Sequence, residues 1–76
     1  MTKKEIKEIC EATFRRLYSF SKEEYKFFDW VIEPDDIFEG WNVRVYVLSI
    51  RHTIYRCYCH IDEFGLVEYE NHRALV

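Results

Sequence analysis

The chain has one proline, two glycines and three cysteines in 76 residues. So few backbone breakers exclude a glycine-rich phosphate loop and a flexible linker, and they make Pro34, Gly40 and Gly65 markers of turns between uninterrupted elements. The cysteines are odd in number, and Cys57 and Cys59 are too closely spaced in a strand to pair, which excludes a disulfide framework and predicts reduced thiols. No apolar run approaches membrane-spanning length. The opening MTKKEIKEIC breaks every apolar position with charge, which predicts no signal peptide and a cytoplasmic protein. A basic surplus is also missing. The net charge of −3 and pI near 5.6 argue against direct nucleic-acid binding, because phosphate neutralisation calls for excess lysine and arginine.

What is present is apolar and aromatic material. Hydrophobic residues make up 49% of the chain and aromatics 18%, more than one helix and one sheet can bury between them. With 33% charged residues the composition is that of a folded chain, read as one compact α+β domain over 1–76 with one core.

Thr2-x-x-Glu5 has the spacing of a capping box, and Ile6, Ile9, Cys10, Thr13, Phe14 and Leu17 follow as a single stripe at helical period. Lys3, Lys4, Lys7, Glu8, Glu11, Arg15 and Arg16 fall largely opposite. The pattern predicts a helix from about Lys3 to Tyr18. Ser21-x-x-Glu24 suggests a helical turn at 22–25, followed by a strand at about 26–33 in which Phe28, Trp30 and Ile32 alternate with Phe27, Asp29 and Val31.

Two hairpins follow. In WNVRVYVLSI the odd row Trp41, Val43, Val45, Val47 is apolar, as is the odd row Tyr55, Cys57, Cys59, Ile61 in TIYRCYCHI. An odd loop at Arg51, His52 and Thr53 places both rows inward, with Val47 opposite Cys57 and Val45 opposite Cys59. A loop at Glu63, Phe64 and Gly65, glycine in the left-handed position, pairs Ile61 with Val67 and Cys59 with Tyr69. The expected architecture is one N-terminal amphipathic helix packed on a four-stranded antiparallel β-meander.

The outward row is the main functional signal. Arg44, Tyr46, Leu48, Ile54, Arg56, Tyr58 and His60 mix charge with large apolar groups where a wet face would be plainly polar, so the row reads as a surface meant to be covered. A second candidate is the acidic stretch Glu33, Asp35, Asp36 and Glu39, interrupted by Ile37 and Phe38 and followed by Trp41. Solvation of a turn explains the acids; as a site, the loop would dock on a basic groove with Phe38 or Trp41 as anchor.

Other constellations are weaker. Cys57-x-Cys59-His60 has zinc-ligand chemistry, but strand geometry turns His60 away from the two sulfurs, so Cys57 and Cys59 are read as core and no metal or cofactor is expected. Cys10 lies mid-stripe with no helix N-terminus to activate it. Arg44, His60 and Glu68 are expected in one row across the sheet, which is raw material for acid–base catalysis but is more simply a cross-strand charge ladder, since no nucleophile or oxyanion donor accompanies it. Tyr46, Tyr58, Arg44 and Arg56 share the composition of a single-stranded nucleic-acid platform, yet Glu68 and Glu70 are expected beside them.

The sequence therefore predicts a non-catalytic protein-binding module. The type is a small freestanding inhibitor that occludes a larger partner through its outer sheet face or acidic loop, as phage and mobile-element proteins such as anti-CRISPRs do. The alternative is a homodimer closed by the same sheet face. A small enzyme using His60 and Glu68 ranks last.

Overall fold

A computed structural model describes residues 1–75. It consists of a helix α1 (Lys3–Tyr18) followed by strands β1 (Tyr25–Pro34), β2 (Trp41–Ser49), β3 (Ile54–Ile61) and β4 (Val67–Ala74), which form one antiparallel sheet in the order β1-β2-β3-β4. The expected α+β architecture is present.

The helix starts where its capping box places it. Thr2 Oγ1 accepts from the Glu5 amide at 3.1 Å, and a Glu5 carboxylate oxygen accepts from the Thr2 amide at 2.9 Å. These bonds hold the Glu5 carboxyl below its ordinary pKa. The helix ends at Ser19, in the left-handed conformation. Its buried face is Ile6, Cys10 and Phe14, packed with Phe20 over Val43, Val45, Val47, Cys57, Cys59 and Ile61. Leu17, expected in the stripe, is exposed. The adjacent Tyr18 packs against the core instead, its ring 3.9 Å from that of His72.

Arg15, expected on the solvent face, secures the helix to the sheet. Its Nε donates to Glu11 at 2.9 Å, its guanidinium donates to the carbonyls of Phe20, Ser21 and Tyr25, and it lies 4.6 Å over the Phe27 ring. Residues 22–24 form a turn rather than the expected helical turn through 25, and β1 begins at Tyr25.

Three corrections concern register. Val47 pairs with Tyr55 and Val45 with Cys57, two residues away from the expected pairing. The loop is Ile50, Arg51 and His52, closed by a Ser49 amide bond to the Thr53 carbonyl. Ser49 decides this: its Oγ accepts from the amides of Arg51 and Thr53, and His52 takes the left-handed position at φ 65°. A slip of two leaves every side chain on its expected face.

The other two corrections are bulges, which do change faces. In β1 the register shifts between Phe28 and Val31, with Asp29 at φ 54°, so Phe27, Trp30 and Ile32 pack on the core while Phe28 and Val31 lie outside opposite Tyr46 and Arg44. In β4 the expected pair of Cys59 with Tyr69 is replaced by a bulge with Tyr69 at φ 55°. Beyond it Asn71 faces Tyr58, His72 faces Cys57 and Arg73 faces Arg56. Without the extra residue Glu70 and His72 would stand outside; instead Glu70 lines a groove with Thr13, Arg16 and Leu17 on the helix side.

Cys57 and Cys59 are buried on the inner face, as expected of core residues, and Cys59 Sγ donates to Cys10 Sγ at 3.4 Å. The bond to Cys10 together with burial raises the Cys59 thiol, and burial pushes Cys57 up to about 12.

Candidate functional site

In a meander the first and third connections lie at the same end of the sheet, and in this chain both are built on an aspartate. Asp35 Oδ1 accepts from the amides of Ile37 and Phe38 at 2.8 and 3.0 Å, and the Asp35 amide donates to the Gly40 carbonyl. Asp62 Oδ1 accepts from the amides of Phe64 and Leu66, both at 2.9 Å, and Gly65 turns the loop at φ 89°. Each carboxylate satisfies backbone donors that a sharp turn would leave open.

The two loops touch through backbone. Gly40, at φ 107°, lies so close to β3 that a Cβ there would be 2.2 Å from the Ile61 carbonyl oxygen. The Glu39 carboxyl across the gap raises the Glu63 pKa, by hydrogen bonding to its protonated form and by repelling its charged form.

Beneath the loops His60 acts as a clamp. It is 6% exposed, its Nε2 donates to the Glu39 carbonyl at 2.9 Å, and its Nδ1 lies 3.2 Å from Asp35 Oδ2 and 3.4 Å from Asn42 Oδ1. The expected row of Arg44, His60 and Glu68 is therefore corrected. His60 shares its rung with Asn42 and Glu68, the carboxylate its ring contacts is that of Asp35, and Arg44 lies one rung away opposite Tyr58. Both ring nitrogens are engaged by groups of this chain.

The result is a tip that sequence reasoning saw only in half. Ile37 is 84% exposed, Phe38 63%, Phe64 86% and Tyr69 74%. Around them stand Glu33, Asp35, Asp36, Glu39, Asp62, Glu63 and Glu68, and neither loop contributes a lysine or arginine. Phe38 and Tyr69 flank His60 edge-on at 6.5 and 6.4 Å, above a groove of about 490 Å³ also lined by Asn42, Tyr58 and Asn71. Trp41, offered as an anchor of the acidic loop, sits in the inward row opposite Ile61 and packs on the core. The second loop exposes Phe64, whose only sequence signal is an aromatic between Glu63 and Gly65.

Searches against protein-family models, curated proteins and solved structures find no match for this chain. No helix among the described residues is long and apolar enough to cross a membrane.

The outer sheet face continues from the tip. Its rungs are Lys26–Leu48–Ile54, Phe28–Tyr46–Arg56–Arg73 and Val31–Arg44–Tyr58–Asn71. Tyr46, Ile54, Arg44 and Arg56 are half-buried by one another, and Leu48 and Tyr58 are more open. Lys26, Phe28, Val31, Asn71 and Arg73 join this face only because of the observed pairing and bulges.

The clamp carries a pH signature. Backbone donation from Phe38 and Ile37, with smaller help from Asn42 and His60, holds the Asp35 carboxyl below its ordinary pKa. A depressed carboxyl stabilises the fold above its unfolded pKa of about 3.9 and loses that contribution as pH falls through the folded value. The parent chain should melt above an Asp35→Asn variant at pH 5, with the gap closing on further acidification. A gap of constant size down to pH 2 would show that the ionised carboxylate is not what stabilises the loop.

Proposed function

We propose that this chain is a non-catalytic protein-binding module of the inhibitor type, which occludes a basic groove on a larger partner with the tip of its sheet. The observation that carries this reading is the exposure of Ile37, Phe38, Phe64 and Tyr69 among the carboxylates of two converging loops. Aromatic groups in the open are costly on a free surface and are common anchors in interfaces, while a ring of one charge steers and selects a partner of the other. The side-chain bonds of Asp35, Asp62 and His60 fix the loops before binding, which lowers the ordering cost of association.

The homodimer reading through the outer face is weaker. A twofold axis through the centre of that face would bring the patch of Arg44, Arg56 and Arg73 against the same patch of the second copy, and like charges brought together oppose association.

The test is capture of partners from a host lysate, with the affinity of each captured protein then measured. Phe38→Ala and Phe64→Ala should each weaken binding by about 2 kcal/mol, roughly thirtyfold, while leaving stability within about 0.5 kcal/mol, since both side chains are exposed. Normal binding by both loop variants, with loss in Tyr46→Ala and Tyr58→Ala, would move the site from the tip to the sheet face.

A further inference from the structure

The outer face concentrates positive charge that no carboxylate among the described residues pairs with. Arg56 and Arg73 are direct partners across β3 and β4, and Arg44 is the diagonal neighbour of Arg56 on β2. Like charges directly opposite on adjacent strands are destabilising. The basic groups in contact with a carboxylate among the described residues are Arg15, on Glu11, and His60, on Asp35, so no described carboxylate relieves these arginines. The Nε atoms of Arg44 and Arg56 are also buried without a hydrogen-bond partner. Their guanidinium groups lie 5.7 Å from the Tyr46 ring and 5.2 Å from the Tyr58 ring, and both side chains remain half-exposed. The β4 bulge is what builds the cluster, since it turns Glu70 to the helix side and sets Arg73 beside Arg56.

We propose that Arg44, Arg56 and Arg73 form a carboxylate-binding centre that receives an acidic segment of a protein partner. This rests on the reading of the chain as a protein-binding module but uses a different surface from the tip. Guanidinium forks match carboxylates two bonds at a time, and tyrosine faces that support them reduce the entropy lost when they engage. Protein carboxylates fit better than a nucleic-acid strand for two reasons. The tyrosine faces that would stack bases are already occupied by guanidinium groups. The next rung toward the tip holds Glu33 and Glu68, so the positive area is a compact patch rather than a track for successive phosphates.

The experiment follows the arginine Nε–Hε signals of the ¹⁵N-labelled chain during titration with a blocked octaglutamate peptide. Matched octaglutamine, inorganic phosphate and a short oligothymidine serve as the other arms. Octaglutamate should shift the Arg44, Arg56 and Arg73 signals saturably and octaglutamine should not. The doubly substituted Arg44→Lys, Arg56→Lys chain keeps the charge and loses the forks, so its affinity should fall at least about fivefold; the backbone spectrum reports that it is folded. Equal binding by that variant, absence of a saturable shift, or tighter binding of phosphate or oligothymidine would each overturn the proposal. The same titration on the Phe38→Ala, Phe64→Ala chain should be unchanged. Failure of the tip in the capture assay and failure of the arginine centre are thereby read separately.

Discussion

Replacing Phe14 with alanine should remove about 3–5 kcal/mol of unfolding free energy, most of what a domain of this size has. Phe14 is the largest fully buried side chain, and its ring stacks on Tyr18 at 6.0 Å. It stands with Ile6 and Cys10 on the single face by which the helix covers the sheet, and no second helix is placed to collapse into the cavity. The cost therefore includes both the lost transfer energy and a persistent void. Urea titration with a far-ultraviolet signal measures it. A variant whose midpoint matches the parent would remove Phe14 from the core and with it the proposed seating of the helix.

Gly40→Ala should cost on the order of 3 kcal/mol, combining strain at a positive φ with overpacking. The atoms in the way are backbone, the Ile61 carbonyl oxygen and the Asp62 Cα at 2.8 Å, so relief requires the two tip loops to separate. Separation would also draw the Glu39 carbonyl away from His60. Gly65→Ala is the internal comparison. At that position the nearest atoms are the side-chain ends of Ile9 and Met1 at 3.5 Å, leaving only the conformational cost of about 1–2 kcal/mol. For a chain of this length the difference corresponds to several degrees in melting temperature. If Gly40→Ala and Gly65→Ala melt together, the loops do not pack backbone against backbone, and the tip loses its rigid base.

The features legible in the chain were those that depend on local chemistry or on periodicity. Thr2 and Glu5 announce the helix start because both capping bonds lie within one turn. The rows Val43, Val45, Val47 and Cys57, Cys59, Ile61 announce their own face because a period of two is visible in any strand. Gly65 announces its loop because a left-handed position penalises a Cβ. Periodicity is blind to a shift of two, however, and the β2–β3 register is set by the Ser49 bonds, which leave the row pattern unchanged. The bulges gave no signal either, since Asp29 and Tyr69 adopt positive φ without being glycine.

Those bulges settle much of the candidate surface. They put Phe28, Val31 and Arg73 outside, turn Trp30 and His72 inward and remove Glu70 from the arginines. The convergence of the loops at 35–40 and 62–66 is likewise a product of the meander. It alone could reveal that Gly40 packs against the Ile61 carbonyl, that His60 is held by Asp35, and that Arg15 serves the core rather than the solvent. By itself, then, the sequence determined which segments become helix and strand and which rows of the hairpins face the core, because those follow from interactions within a few residues. Only the tertiary structure decided which charges meet and which aromatics stay exposed, because those depend on pairings between segments tens of residues apart that no local pattern encodes.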